Sequence, residues 1–129
     1  MPLPARDVRR YLNGGCLTFA IALKRELGLP IYALTDSHRD RQDCIHVFVA
    51  DEAADIAIDA RGARALVPDE IGDGAQVVGS LSIAPISIQA AQAKLDRFPT
   101  STEINEARAL VRRYLKPELE EKAQIPFSR

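Results

Sequence analysis

Cysteine is scarce in this chain. Cys16 and Cys44 are the only two, too few for the disulfide framework of a small secreted protein; in a reducing compartment such isolated thiols serve catalysis, metal binding or plain packing. Histidine is equally scarce, with His38 and His46 alone. No apolar run approaches membrane-spanning length, and Arg6, Asp7, Arg9 and Arg10 interrupt the N-terminus where a signal peptide needs an apolar stretch. The expected setting is therefore the cytoplasm, or export by a specialised system that reads no signal peptide, with no membrane partner. Charge of one sign is also lacking: the formal net charge of -1 gives no general pull toward nucleic acid.

What is present suffices for one core. A chain of 129 residues with 47% hydrophobic residues can bury a single core and is too short for two ordinary domains, so residues 1–129 are expected to form one domain. Residues 5–12 fit a short helix, broken by Asn13-Gly14-Gly15. Cys16 opens a second helix to Leu27 that is apolar around most of its circumference and is stopped by Gly28 and Pro30. Strands are expected at Ile31–Thr35, Cys44–Ala50 and Asp55–Asp59, with the wholly polar stretch Asp36–Asp43 as an exposed loop. Gln76–Gln89 reads as two short strands broken at Pro85. Helices follow at about 88–97 and at 101–115, the second opened by a Thr100/Glu103 capping box, with Pro117 starting a last short one, so that helices occupy about 88–123. Gln124–Arg129 reads as a loose tail.

The chemistry-bearing residues fall within 13–62. A thiol is a poor nucleophile until it ionises, and the unpaired N–H groups of a first helical turn favour the thiolate. Cys16 stands at such a turn. Gly14 and Gly15 before it carry no side chains, which lets a substrate carbonyl approach the Cys16 N–H as an oxyanion donor; Asn13 offers a second. His46 lies near the start of an otherwise apolar strand. If Asp51–Ala54 form a four-residue hairpin loop, Ala50 faces Asp55 and His46 faces Asp59 directly, so that the carboxylate holds one imidazole nitrogen and leaves the other for Cys16. Arg61 and Arg64, just beyond Asp59, offer cations to an acidic substrate.

Three segments, Asn13-Gly14-Gly15-Cys16 leading a helix, His46-Val47-Phe48-Val49, and Ile58-Asp59-Ala60-Arg61-Gly62, together resemble papain-like cysteine hydrolases, most closely the small bacterial peptidase, amidase, deamidase, transglutaminase and toxin domains of that fold. The resemblance implies an α+β papain-like fold, with the cysteine-bearing N-terminal helix packed on a small antiparallel sheet and helices at the C-terminus. It assigns catalytic roles to Cys16, His46 and Asp59, and oxyanion or substrate-binding roles to Asn13, Gly15 and Arg61. It implies a peptide or protein amide as substrate, with no cofactor and no metal. Where papain has a glutamine upstream of its cysteine helix, the side chain on offer here is Asn13.

Two other classes remain open on the residues alone. Cys16, His38, Cys44 and His46 permit a Cys2His2 zinc site, although only Cys44 and His46 are close in sequence. A non-enzymatic binding module would instead use the His46–Asp59 pair to brace a hairpin and Arg39, Arg41, Arg61 and Arg64 as a contact surface. His38, among Arg39, Asp40 and Arg41, reads as a solvated loop residue, and Arg112 and Arg113 as a solvent-facing part of the last long helix.

Overall fold

In the computed structural model, which describes residues 2–121, the chain opens with α1 (Ala5–Leu12) and α2 (Cys16–Leu27). Strands β1 (Ile31–His38), β2 (Arg41–Asp51), β3 (Ile56–Asp59) and β4 (Gly62–Ala65) follow. A single helical turn, α3 (Pro68–Ile71), precedes β5 (Ser80–Pro85). The chain then continues through α4 (Ile88–Leu95), α5 (Ser101–Leu110), a π-helical turn at Val111–Leu115 and α6 (Lys116–Glu121). The five strands form one antiparallel sheet in the order β4-β3-β2-β1-β5. The α+β class is thus the one expected. The predicted tail, Gln124–Arg129, lies outside the described residues.

Helix α2 is the centre of the molecule because its sequence leaves it no polar face. Every residue from Cys16 to Leu23 is buried, as is Leu27, while Lys24 and Arg25 reach water in the last turns. Gly28 closes the helix in the left-handed conformation, its N–H bonding the Lys24 carbonyl. On one side α2 meets Ile31, Val47, Val49 and Ile58 of the sheet; on the other it meets Ile104, Ala107 and Val111 of the C-terminal helices. The alternate strand residues Tyr32, Leu34, Phe48, Ala50 and Ala57 face the opposite way and pack with Ile71 of α3. At about 1.5–3 kcal/mol for each fully buried large apolar side chain, these two layers hold the sheet from both faces. No helix among the described residues is long and apolar enough to cross a membrane.

The departures from expectation have physical causes. The polar stretch at 36–43 is not a loop: β1 and β2 continue as a hairpin through the pairs Asp36↔Asp43, Ser37↔Gln42 and His38↔Arg41. A two-sided polar hairpin carries no hydrophobic alternation to betray it. Asp36 is buried within it, its carboxylate accepting from the N–H groups of Val78 and Gly79. Residues 76–89 give one strand rather than two, since Ile86 and Ser87 lead straight into α4, whose first turn the Ser87 hydroxyl caps. The helix expected to stop before Pro117 instead runs through it. Proline lacks the N–H that would bond residue 113 and its ring crowds that turn, and the backbone widens to a π-turn immediately before it, with Lys116 N–H reaching Val111.

That C-terminal helical run is clamped to α2 by charge. The Glu26 side chain is 5% exposed and accepts from Arg108 Nε and Arg112 Nε, each at 2.8 Å. Arg112, read from sequence as solvent-facing, thus has a structural partner. Burial works against ionisation of Glu26, but the hydrogen bonds from Arg112 and Arg108 outweigh it and hold the carboxyl below its usual range. The contribution is therefore present above the pKa of the unfolded carboxyl and lost as pH falls. Glu26→Gln is expected to cost about 1–3 kcal/mol, less than a fully enclosed pair because both arginines can turn to water. Thermal unfolding at pH 7 and pH 3 checks this, the gap between wild type and variant narrowing at the lower pH.

Candidate active site

The segment joining α1 to α2 sets Cys16 in place. Gly14 has φ +100°, a conformation side chains resist, and Gly15 lies so close to α1 that a Cβ there would meet the Arg10 carbonyl at 2.8 Å and the Tyr11 ring at 3.0 Å. The two glycines are therefore required by the corner itself, whatever they do for a substrate. Gly15 caps α2 without any side-chain hydrogen bond, so no capping side chain answers the N–H groups of the first turn, that of Cys16 among them. Cys16 is buried, at 8% exposure. Asn13 is exposed, and its carboxamide has no hydrogen-bond partner among the described residues.

His46 is aimed by a β-bulge. Leu34 pairs with His46 but Thr35 pairs with Cys44, so Ile45 is the extra residue. Cys44 and Val47 pack on the α2 side of the sheet, whereas Ile45 packs on the other and the imidazole lies over Phe48, ring centroids 5.9 Å apart. Beside it β3 has already ended, for it pairs with β2 only from Val49 to Asp51. The hairpin loop is Glu52–Asp55 rather than Asp51–Ala54, with Asp55 at φ 57°. The direct facing of His46 and Asp59 is thereby corrected: continuing the register puts Asp59 level with Phe48, two residues along β2. A displacement of two keeps both side chains on one face, and His46 Nε2 still lies 2.8 Å from Asp59 Oδ2.

Cys16 is near enough to the same imidazole to act on its ionisation. With Nε2 facing Asp59, Nδ1 is the nitrogen left for the thiol. Burial alone would lower the His46 pKa; the hydrogen bonds to Asp59 and Cys16 and their charges overcome it and raise the pKa to about 9. Burial likewise opposes the Asp59 carboxylate, but the hydrogen bonds from His46 and Arg61, with their charges, hold it well below the usual carboxylate range.

Arg61 is bound first to Asp59. Its Nη2 lies 2.6 Å from Asp59 Oδ2, its Nε 3.1–3.2 Å from the two carboxylate oxygens, and its backbone N–H donates to Oδ1 at 2.8 Å across the tight Ala60-Arg61 turn. Nη2 and Nη1 also donate to the carbonyls of Ile71 and Asp73. The residue expected at a substrate pocket is thus first a brace on the third member of the constellation, tying it to the end of α3 and the residues just after it. An Asp with an Arg two residues on, at a strand end, was the available sequence signal.

A cleft of about 490 Å³ opens at His46, walled by Asn13, Leu34, Ile45, Arg61 and Gly74.

The chain matches no protein-family model, no curated protein and no solved structure.

The remaining candidates fall elsewhere. His38 ends β1, paired with Arg41 rather than lying in a loop. Among the described residues, no three His, Cys, Asp or Glu side chains converge as a metal-holding group. Cys44, partly buried on the α2 side, points its Sγ toward the His46 carbonyl at 3.9 Å; burial, then the nearby Cys16 charge, raise its pKa. Arg64 donates to the Glu70 carbonyl and approaches Asp73 at 3.7 Å, and Arg113 lies over the Tyr114 ring.

Proposed function

We propose that this chain is a cysteine-dependent hydrolase or acyl-transferase of papain-like type, acting on an amide or ester bond through a thioester. One observation carries the reading: a single buried imidazole holds an arginine-braced carboxylate, Asp59, on one nitrogen and has Cys16, at a helix start, near enough to act on its ionisation. The ring donates its Nε2–H to the Asp59 carboxylate in a hydrogen bond and takes the thiol proton at Nδ1, a transfer its raised pKa favours. The Cys16 sulfur then attacks the substrate carbonyl, and the Cys16 N–H with the Asn13 carboxamide provides donors for the oxyanion. The imidazolium passes its proton to the leaving amine or alcohol as the carbon–heteroatom bond breaks. Water or an amine, deprotonated by His46, displaces the sulfur and restores the thiol. No step calls on a cofactor, and the substrate is a peptide or protein amide.

Alkylation separates this reading from a hairpin-bracing role. Exposure alone favours Cys44, which is partly exposed, over buried Cys16; a neighbouring base favours Cys16. Iodoacetamide at pH 6–7, followed by intact mass and peptide mapping, is expected to modify Cys16 first, and His46→Ala to remove that preference. Faster modification of Cys44 in the wild type rejects the nucleophile assignment.

A further inference from the structure

We infer that a second cavity beside the Asn13–Gly15 segment is the acyl-side subsite of this active site and that Arg97 selects a carboxylate there, so that the bond attacked follows an acidic residue. The inference rests on the catalytic reading above. Asn13 lines both the His46 cleft and this second cavity of about 360 Å³, but Gly14, Gly15, Thr18 and Arg97 belong to the second alone. His46 gives its proton to the leaving group, so the leaving group occupies the His46 side. The acyl chain of a substrate held at the Cys16 N–H is then directed along the bare backbone of Gly14 and Gly15.

Arg97 stands over that backbone. Its Nη2 lies 3.7 Å from where a Cβ on Gly14 would be. Arg10, which lines the same cavity, is answered by Glu106 at 3.6 Å. Arg97 has no carboxylate partner among the described residues, only a long 3.4 Å bond to the Asp96 carbonyl. Glu103, in the same wall, commits Oε1 to the Thr100 N–H in the capping box that starts α5. Arg97 itself stands between Asp96, which ends α4 at φ 51°, and Pro99. A planar, permanently charged fork paired with no acid among the described residues, beside a cavity of side-chain size, is suited to a carboxylate and discriminates against its neutral isostere.

The test uses the full chain and two reagents differing by one charge, the N-acetyl-aspartyl and N-acetyl-asparaginyl chloromethyl ketones. In each, the Cys16 thiolate displaces chloride and forms a thioether. The aspartyl reagent is expected to alkylate Cys16 at least tenfold faster, and Arg97→Gln, a change at an exposed position, to bring the ratio of the two rates near one. Equal rates at Cys16 in the wild type, or a preference that survives Arg97→Gln, overturn the subsite and leave the catalytic reading standing. If neither ketone nor iodoacetamide modifies Cys16, the catalytic reading falls and takes the subsite with it.

Discussion

Cys16→Ala is expected to abolish turnover while leaving the fold in place. The side chain is small, and its removal from the first turn of α2 takes one buried sulfur from a core otherwise held by Leu17, Phe19, Ile21 and Leu23. A stability loss of roughly 1 kcal/mol follows, far less than removal of a large aliphatic group. The rate loss has no such limit, because without a nucleophile only oriented water remains; a fall of about 10⁴-fold or more is the scale for this class of substitution. Intact mass after incubation with mixed peptide amides and activated esters should show an acyl adduct on the wild type and none on the variant. The variant should also titrate differently, since His46 loses both the hydrogen bond and the charge of Cys16 that help hold its pKa at about 9. Unimpaired turnover by a well-folded Cys16→Ala protein would falsify the mechanism outright, whatever the remaining geometry.

The parts of this molecule legible in its sequence are those where periodicity, capping and chemistry agree. The buried α2, the capping box at Thr100 and Glu103, and the glycine stop at Gly28 were readable because each rests on local rules. The contact of His46 with Asp59 was readable for a different reason. Face parity along a strand survives a displacement of two residues, so a hairpin loop placed one residue too early still put the histidine and the aspartate on one side of the sheet. The bulge at Ile45 was not readable. It leaves no compositional mark, yet it sets the ring over Phe48. The polar extension of β1 and β2 was missed because Asp36, Ser37 and His38 satisfy one another's strand and a distant loop rather than a hydrophobic face. For Arg61, position beyond a strand end brings a cation close to the site, while only the closed Ala60-Arg61 turn reveals that it also folds back on Asp59.

That brace changes what the third residue is expected to do when it is replaced. Asp59→Ala leaves two buried cations without their acid: the His46 and Arg61 side chains are only 8% and 12% exposed. Breaking such a buried arrangement from one side costs about 3–5 kcal/mol. The size of this effect depends on pH, and its sign follows from the two shifted groups. His46 is raised from 6.5 to about 9, so its contribution is fully present below pH 6.5 and lost as pH rises through 9. Asp59 is held below its ordinary 3.8, so its contribution is present above that value and lost as pH falls. The stability gap between wild type and Asp59→Ala should therefore be widest between about pH 4 and 6.5 and narrow on both sides, a profile that denaturant melts across pH 3–10 will trace. In the variant that remains folded, the His46 titration followed by NMR should move from about 9 toward or below 6.5, because burial then acts with less opposition. Turnover should fall by roughly 10²–10⁴-fold through loss of ring orientation. Asp59→Asn should retain measurable activity, since its carbonyl oxygen can accept from Nε2–H, but its amide nitrogen, in the place of Oδ1, faces the Arg61 backbone N–H and Nε and cannot accept from either. Arg61→Lys separates the two roles of the carboxylate: it relaxes the brace while leaving Asp59 on the imidazole. A loss in that variant intermediate between wild type and Asp59→Ala is expected, with the His46 titration still well above 6.5. A folded Asp59→Ala protein with unchanged rate and an unchanged histidine titration would reduce the catalytic unit to Cys16 and His46 alone.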